Sequence, residues 1–157
     1  MLPEVNFFGI TTGLIFHLTA HYLLAVSIAI FFWIATRRFW ASVLVVLVGV
    51  FIDLDHLFDY FYAYGWSWSP GLFFKHAFTA VSGKAFLPLH GWDLVAILLV
   101  IGWKSKNIIV SAVAVGMFAH LMMDQYLVAN HPFAYFLFYR LINNFSVDAF
   151  SMPGWPL

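Results

Sequence analysis

The sequence contains no cysteine among its 157 residues, and it is also poor in charge. Without thiols the chain cannot form a disulfide, offer a thiolate nucleophile or build a cysteine-type zinc site. Charged residues make up only 9% of the chain, the formal net charge is zero, and Lys and Arg form no run that could face phosphates. We therefore exclude nucleic acid as a partner.

Hydrophobic residues dominate the composition instead. They make up 64% of the chain and the mean hydropathy is +0.91, whereas soluble proteins have about 45–50% apolar residues and about 25% charged ones. At this length we expect one domain, residues 1–157. The composition predicts an integral membrane protein. Residues 1–6 carry no Lys or Arg, so they lack the basic region of a secretory signal peptide, and we expect the first apolar segment to stay in the protein.

The apolar segments predict an all-α fold. A bilayer core of about 30 Å requires about 20 helical residues. Four stretches approach that length, near residues 9–36, 40–59, 87–103 and 107–127. We therefore expect a multi-pass bundle of four transmembrane helices.

The remaining segments, 60–86 and 130–157, predict short helices that lie on the membrane. Aromatic rings crowd the first of them, and amphipathic rings favour the headgroup level. Within these segments, residues 72–81 and 132–145 are the expected interfacial helices, with Asn130 as the cap of the second.

Basic residues indicate an orientation. The tight connectors Arg37–Phe39 and Lys104–Lys106 are both basic, which predicts that they lie together on the cytoplasmic side. Lys75 and Lys84 are spread over a longer connector and weigh less. Both termini are then expected on the outside.

Acidic and His side chains within the predicted helices fall at one depth. A central Asp costs about 2.5–3.5 kcal/mol in a membrane helix, so it needs a compensating partner. Counting at 1.5 Å per residue from the basic connectors, the polar groups of all four helices lie about 20 to 26 Å away. This predicts one polar layer at the non-cytoplasmic face, and the residues counted are His21, Asp55, His90, His120 and Asp124.

The local spacing of these residues is typical of metal ligands. Residues three or four apart share a helical face, and imidazole with carboxylate on neighbouring turns can bind zinc, manganese or iron. A hydrogen-bonded packing pair is the competing interpretation of any one pair, but convergence from four helices favours a divalent ion, with zinc first and manganese or iron as alternatives. The pairs are His17/His21, Asp53/His56, Asp55/Asp59, His90/Asp93 and His120/Asp124.

Two of these acids raise a geometric question. Asp53 and Asp55 are two residues apart and point to opposite sides of a regular helix. Both can therefore bind metal only if the helix departs from regularity or if two sites exist. Gly49 and Gly116 are expected to permit close helix packing, while His76 and His131 are expected to be interfacial side chains.

Three motifs carry a family resemblance. The runs from Thr19 to His21 (TAH), Gly49 to His56 (GVFIDLDH) and Gly116 to Asp124 (GMFAHLMMD) resemble the bacterial and archaeal membrane-bound predicted metal-dependent hydrolases, a family that includes LexA-regulated members. The likeness extends from about residue 17 to residue 124. It implies a small helical membrane protein that binds a divalent metal, and a more distant similarity connects it to zinc-dependent phospholipases C and P1-type nucleases. The metal positions that the resemblance implies are His21, Asp53, Asp55, His90, His120 and Asp124.

The chain departs from the family pattern in two places. Ile52 stands where the family usually has Pro, and the central segment reads Leu89-His90-Gly91-Trp92-Asp93 where the family often has HRGxTHS. One familiar His is therefore missing, and Asp93 is the candidate to substitute for it. This leaves the number of metal ions open.

The leading functional hypothesis is hydrolysis of a phosphoester or related bond in a lipid, a lipid phosphate or another membrane-associated substrate. A bound divalent ion would lower the pKa of its water and polarise the scissile bond. An acid not used in ligation, Asp59 or Asp93, is the candidate general base. The alternatives are a small ion- or proton-coupled transporter and a non-catalytic protein with a structural metal site. The sequence does not indicate an oligomeric state.

Overall fold

A computed structural model describes residues 12–75, 77–129 and 131–150, and over these ranges the chain is helical without any strand. The only extended pairing within them is a bridge between Lys84 and Ser146. The α-helices are α1 (Thr12–Thr36), α2 (Phe39–Phe51), α3 (His56–Tyr64), α4 (Pro70–Phe73), α5 (Phe78–Ser82), α6 (Trp92–Ser105), α7 (Ile108–Leu127) and α8 (Leu137–Ile142), with 3₁₀ turns at Ile52–Asp55 and Val147–Phe150.

Three helical stretches are long and apolar enough to cross a membrane. They are Ile15–Thr36, Phe39–Tyr64 and Ile108–Leu127. Large apolar side chains remain exposed along the bundle, among them Phe31 at 72% and Trp40 at 79%. Such exposure is unfavourable in water and normal in lipid, so both observations indicate a membrane protein.

The predicted fourth span is shorter than expected. Helix α6 has 14 residues, which corresponds to about 21 Å against a hydrocarbon core of about 30 Å. It begins at Trp92 because residues 86–90 form an irregular segment with a turn at residues 88–89, and side chains from elsewhere bind the backbone of this segment. Four full-length spans are therefore not confirmed.

The predicted interfacial segments form short helices in part. Residues 72–81 are divided between α4 and α5, and His76 between them lies outside the described residues. The second segment is helical only over α8, after a turn at residues 132–135. The predicted cap Asn130, the tail 151–157 and the predicted helix start at residue 9 also lie outside the described residues.

Two hairpins make up the bundle, and their geometry separates the basic connectors from the polar layer. Helices α1 and α2 join at Arg37–Arg38, and helices α6 and α7 join at Lys106–Asn107, where Asn107 caps α7 by accepting the N–H groups of Ile109 and Val110. Helix α2 packs on α7, with α1 and α6 beside them. Because each hairpin is antiparallel, the starts of α1 and α6 and the ends of α2 and α7 meet at the end opposite the connectors.

Small residues bring α1, α2 and α7 close together. A Cβ on Gly49 would lie 2.9 Å from the Cβ of Ala25, and a Cβ on Gly116 would lie 2.7 Å from the carbonyl oxygen of Val45. Both positions therefore accept only hydrogen without a shift of neighbouring atoms. The predicted role of Gly49 and Gly116 in close packing is confirmed, and it sets the distance between α2 and α7 at the polar end.

Candidate metal centre

The chain is not a regular α-helix at the end of α2, and this brings Asp53 and Asp55, two residues apart, towards the same imidazole. Residues Ile52–Asp55 form a 3₁₀ turn, in which each residue advances by about 120° rather than the about 100° of an α-helix. Both carboxylates consequently reach His90: Oδ1 of Asp53 lies 3.2 Å from its Nε2, and Oδ2 of Asp55 lies 3.0 Å from its Nδ1. Of the two explanations that the sequence left open for Asp53 and Asp55, an irregular helix or two separate sites, the structure shows the irregular helix at this position.

Four side-chain atoms converge on one point at the polar end of the bundle. The Nε2 atoms of His90 and His120 lie 3.2 Å apart. Oδ1 of Asp53 is 3.2 Å from the first and 3.1 Å from the second, and Oδ2 of Asp124 is 3.4 Å and 3.3 Å from them. Zinc bonds of about 2.0–2.1 Å in a tetrahedron put ligand atoms about 3.3–3.4 Å apart. Each Nε2 therefore lies at the spacing of a tetrahedral divalent ion from the other Nε2 and from one oxygen of each carboxylate.

The hydrogen bonds of the two Nδ1 atoms indicate which nitrogen of each imidazole is available to bind a metal ion. Nδ1 of His120 lies 2.9 Å from the carbonyl oxygen of Gly49, which can only accept, so Nδ1 carries the hydrogen. Nδ1 of His90 faces the carboxylate of Asp55 in the same way. A neutral ring with its hydrogen on Nδ1 directs an unprotonated Nε2 at the convergence point. This arrangement of an outer acceptor behind each His is typical of metal ligands.

Burial makes this cluster costly without a cation. The side chains of His90 and His120 are 0% exposed, that of Asp124 is 6% exposed and that of Asp53 is 27% exposed. Carboxylates taken out of water need a compensating charge within contact distance. We therefore name Asp53, His90, His120 and Asp124 the inner ligand set, since together they could hold one ion.

A second group of His side chains surrounds the other oxygen of Asp124. Its Oδ1 lies 3.0 Å from Nε2 of His21 and 3.6 Å from Nε2 of His17, both on the first turns of α1 that the structure describes. On the other side of the cluster, Nε2 of His56 lies 3.4 Å from Oδ1 of Asp53. His17 and His56 are not among the metal positions that the resemblance implies, although the spacing pairs His17 with His21 and His56 with Asp53.

A cavity of about 170 Å³ adjoins the cluster. Its polar wall consists of His17, Asp53, His56 and Asp124, and the opposite wall is mostly apolar. The apolar side is formed by Leu18, Phe73, Phe74, Val128 and the ring of Tyr135. A small polar group can thus reach the cluster while an attached apolar group contacts the apolar lining.

Tyr135 places a phenol at this cavity. The residue is 4% exposed. Burial raises the pKa of Tyr135 well above its ordinary value, and the negative charges of Asp124 and Asp53 raise it further. The phenol therefore keeps its hydrogen and donates it to Asp124. Sequence reasoning missed this residue because the segment after α7 showed only an interfacial aromatic pattern.

Acidic side chains accept hydrogen bonds from the backbone N–H groups of the segment that carries His90. Asp59 accepts the N–H of Phe86 at 2.6 Å and that of Leu87 at 3.1 Å, and Asp55 accepts the N–H of Leu89 at 2.8 Å. These bonds replace the helical hydrogen bonds that residues 86–90 do not make. They explain why the predicted helix near 87–103 begins late.

Arg140 holds the same segment by its carbonyl groups. Its guanidinium donates to the carbonyl oxygens of Phe86 at 2.6 Å and Leu87 at 3.0 Å, and also to that of His90. The residue is 0% exposed. Burial lowers the pKa of Arg140, and the charge of Asp55 leads the effects that oppose this; an Arg nonetheless stays charged in proteins. The only sequence signal was a lone Arg in an aromatic segment.

The predicted site residues therefore divide into two groups. The structure brings His21, Asp53, His90, His120 and Asp124 together, whereas Asp55 lies behind His90 as the acceptor for its Nδ1. Through Oδ2, Asp55 thus orients His90, and its ligand role stays a prediction.

The two acids predicted as candidate general bases have backbone partners instead. Asp59 is 0% exposed and binds the N–H groups of Phe86 and Leu87. Asp93 accepts the N–H groups of Leu94, Leu137 and Phe138 and so joins the starts of α6 and α8. Because their oxygens are engaged in this way, we assign both a structural role, and the substitution of Asp93 for a family His stays a prediction. His131 stacks on Tyr139 and stays outside the cluster, as expected of an interfacial residue.

Comparison with protein-family models, with curated proteins and with solved structures finds no match. The fold and the site therefore define the class: a helical membrane protein with a buried His/Asp cluster that could hold a metal ion. Any more particular assignment depends on the chemistry of that cluster.

Proposed function

We propose that this protein is a membrane-embedded hydrolase that uses a divalent ion to cleave a phosphoester or related bond in a lipid or another membrane-associated substrate. The observation that carries the proposal is the inner ligand set beside a cavity, in which each imidazole Nε2 lies at ligand spacing from the other and from one oxygen of each carboxylate. Two imidazoles and two carboxylates without thiolate favour zinc, with manganese or iron as alternatives. The resemblance of the motifs to membrane-bound metal-dependent hydrolases supports the same reading.

The chain supplies the remaining groups that such a reaction requires. A bound divalent ion lowers the pKa of a ligating water and polarises the scissile oxygen. His56 lines the cavity beside Asp53, so its imidazole is placed to take a proton from water. The phenol of Tyr135 lines the cavity and hydrogen-bonds Asp124, so it is placed to orient that carboxylate. His56 replaces Asp59 and Asp93 as our candidate general base.

The surroundings of the cavity support a lipid substrate. A volume of about 170 Å³ accommodates a phosphate-sized headgroup but not an acyl chain. Exposed aromatic residues flank this end of the bundle, including Trp66 at 92% and Phe133 at 52% exposure, and such rings favour the membrane interface. We propose that the headgroup enters the cavity while the acyl chain stays in the bilayer.

The topology that we propose places the cluster outside. Helix α6 completes a four-helix bundle as a short fourth member packed on α7. The basic connectors at Arg37–Arg38 and Lys104–Lys106 lie at the end opposite the cluster, which favours a cytoplasmic position for the connectors and an outer position for the cluster and both termini.

A structural metal site is the second candidate function. The specific observation in its favour is that the inner ligand set already offers four protein ligands, as closed structural zinc sites do. A transporter has less support, because a proton path needs ionisable groups between the connectors and the cluster. In that part of the described helices the buried polar residue is Ser42, whose hydroxyl does not ionise.

Phosphate or headgroup release by the purified protein tests the proposal. The detergent-solubilised protein, loaded with zinc or manganese, is incubated with phosphatidic acid, phospholipids and a model phosphodiester, with and without chelator. We expect chelator-sensitive release that His120→Ala abolishes and His131→Asn, a His outside the cluster, leaves unchanged. A metal-loaded wild type that is inert across the panel would overturn the hydrolase in favour of the structural site.

A further inference from the structure

The inner ligand set offers no open coordination position for water or substrate. A tetrahedral ion with four protein ligands has no open position, whereas catalytic zinc sites keep one for water or substrate. Two imidazoles beside this set, those of His17 and His21, are not used by it. They lie on one face of α1, four residues apart, with ring centroids 4.2 Å from each other.

His21 is buried without the partners that a structural imidazole requires. The residue is 3% exposed, and among the described residues neither of its ring nitrogens makes a hydrogen bond. Its Nε2 nevertheless lies 3.0 Å from Oδ1 of Asp124, so the two groups face each other without a well-aligned donor and acceptor. Buried polar groups are normally satisfied. A cation between the two atoms satisfies both.

Asp124 is placed to serve two ions at once. Its Oδ2 faces Nε2 of His90 at 3.4 Å and Nε2 of His120 at 3.3 Å. Its Oδ1 faces Nε2 of His21 at 3.0 Å and Nε2 of His17 at 3.6 Å. Each oxygen therefore has its own pair of imidazoles, and a carboxylate shared in this way is suited to bridge two metal ions.

We propose that a second divalent ion binds His17, His21 and Oδ1 of Asp124, and that Asp124 bridges it to the ion of the inner ligand set. Two imidazoles and one carboxylate form a three-ligand set of the kind that catalytic zinc uses. The fourth position faces the cavity, because His17, whose side chain is 24% exposed, and Asp124 both line it. Water or a phosphate oxygen in the cavity can occupy this fourth position, whereas the inner ion already has four protein ligands.

The catalytic assignment of this ion rests on the hydrolase function proposed above, but its binding does not. In a two-ion hydrolase, one ion holds the attacking water and the other helps to neutralise the developing charge. The inner ion, enclosed by four side chains, then mainly fixes the position of Asp124. The outer ion is the one that contacts substrate.

Metal stoichiometry of the full-length protein in detergent tests the inference. The probe is cobalt alone, added to metal-free protein and quantified by elemental analysis and by its visible spectrum. We expect two ions in the wild type, one in His17→Asn and in His21→Asn, and two in the control His131→Asn. The ion that remains in the His17 and His21 variants should show the intense visible bands of tetrahedral cobalt. A wild type that binds one ion, or His17 and His21 variants that bind as many as the wild type, would overturn the inference.

Phosphate binding provides a readout that is independent of turnover. Inorganic phosphate should change the cobalt spectrum of the wild type and of His131→Asn, but not that of His17→Asn, because only the outer ion has an open position. If His21→Asn fails to fold, His17→Asn still decides the matter, since that side chain is partly exposed. A phosphate response that persists in His17→Asn would count against the outer site.

The two proposals fail in different ways. Two ions with a phosphate response but no hydrolysis across the substrate panel would retain the outer ion and overturn the hydrolase. Chelator-sensitive hydrolysis by a protein that binds one ion would retain the hydrolase and overturn the outer ion.

Discussion

Oδ2 of Asp55 lies 3.0 Å from Nδ1 of His90 and accepts the backbone N–H of Leu89 at 2.8 Å. The carboxylate thus orients the imidazole and holds the segment that carries it. An acid that the resemblance implies as a metal ligand thus lies behind the imidazole that faces the cluster, and we assign it an orienting role. This relationship makes Asp53 and Asp55, only two residues apart, distinguishable by experiment.

We expect Asp55→Asn to weaken metal binding without abolishing it. Loss of such an outer partner typically costs about 10–100-fold in metal affinity. Asp53→Asn should cost more, because Oδ1 of Asp53 belongs to the inner ligand set. Competition of each purified variant with a chromogenic zinc chelator measures the difference. Equal losses in the two variants would contradict the outer position of Asp55.

Gly116→Ala should destabilise the bundle. The new methyl group would lie 2.7 Å from the carbonyl oxygen of Val45, which is backbone and cannot swing away. Overpacking of this kind costs about 1–3 kcal/mol. Thermal unfolding in detergent measures it, with Gly71→Ala as the matched control because a Cβ there meets nothing within 4 Å. Similar melting temperatures for the two variants would show that α2 and α7 are not in close contact.

Arg140→Met should unfold the segment that carries His90. Three carbonyl groups lose their donor, and each buried group left unpaired costs about 1–3 kcal/mol. We expect lower thermal stability and loss of bound metal, with partial recovery in Arg140→Lys because an ammonium can satisfy part of the set. Lys75→Met, at an exposed position, is the control. Retention of metal and stability by Arg140→Met would contradict this positioning role.

His56→Asn should separate catalysis from metal binding. If His56 is the general base, the variant keeps its metal and loses about 10²–10⁴-fold in rate. Asp59→Asn and Asp93→Asn should instead lower thermal stability, because their carboxylates bind backbone N–H groups. Turnover, metal content and melting temperature are measured on all three. A rate loss in Asp59→Asn with unchanged stability would restore that acid as the base.

Cysteine labelling tests the orientation, and the absence of native cysteine gives a clean background. Ser67 lies at the end of the bundle that holds the cluster, Ser105 lies by the basic connector, and both are exposed. A membrane-impermeant thiol reagent should label Ser67→Cys in intact cells and should not label Ser105→Cys until the cells are opened. The reverse pattern would place the cluster in the cytoplasm.

The sequence by itself determined the helical class, the membrane setting and the depth of the polar layer. These properties follow from local regularities: a rise of 1.5 Å per residue and a repeat of 3.6 residues convert spacing along the chain into depth and face. For this reason His21, His90, His120 and Asp124 could be placed in one layer before any contact was known. The prediction of close packing at Gly49 and Gly116 is confirmed, and it depended only on the absence of a side chain at these two positions.

The tertiary structure decided which polar side chains face the candidate metal site and which bind the backbone. Asp59 and Asp55 bind N–H groups 27 to 34 residues away, and Arg140 binds carbonyl groups 50 to 54 residues away. No helical repeat relates positions so far apart, so spacing could not separate a metal ligand from an anchor of the backbone. The same contacts shortened α6, because residues whose backbone groups are bound by distant side chains do not need to form a helix. The roles of Asp55, Asp59, Asp93 and Arg140 are therefore set by packing between elements, whereas the polar layer itself is set by the period of each helix.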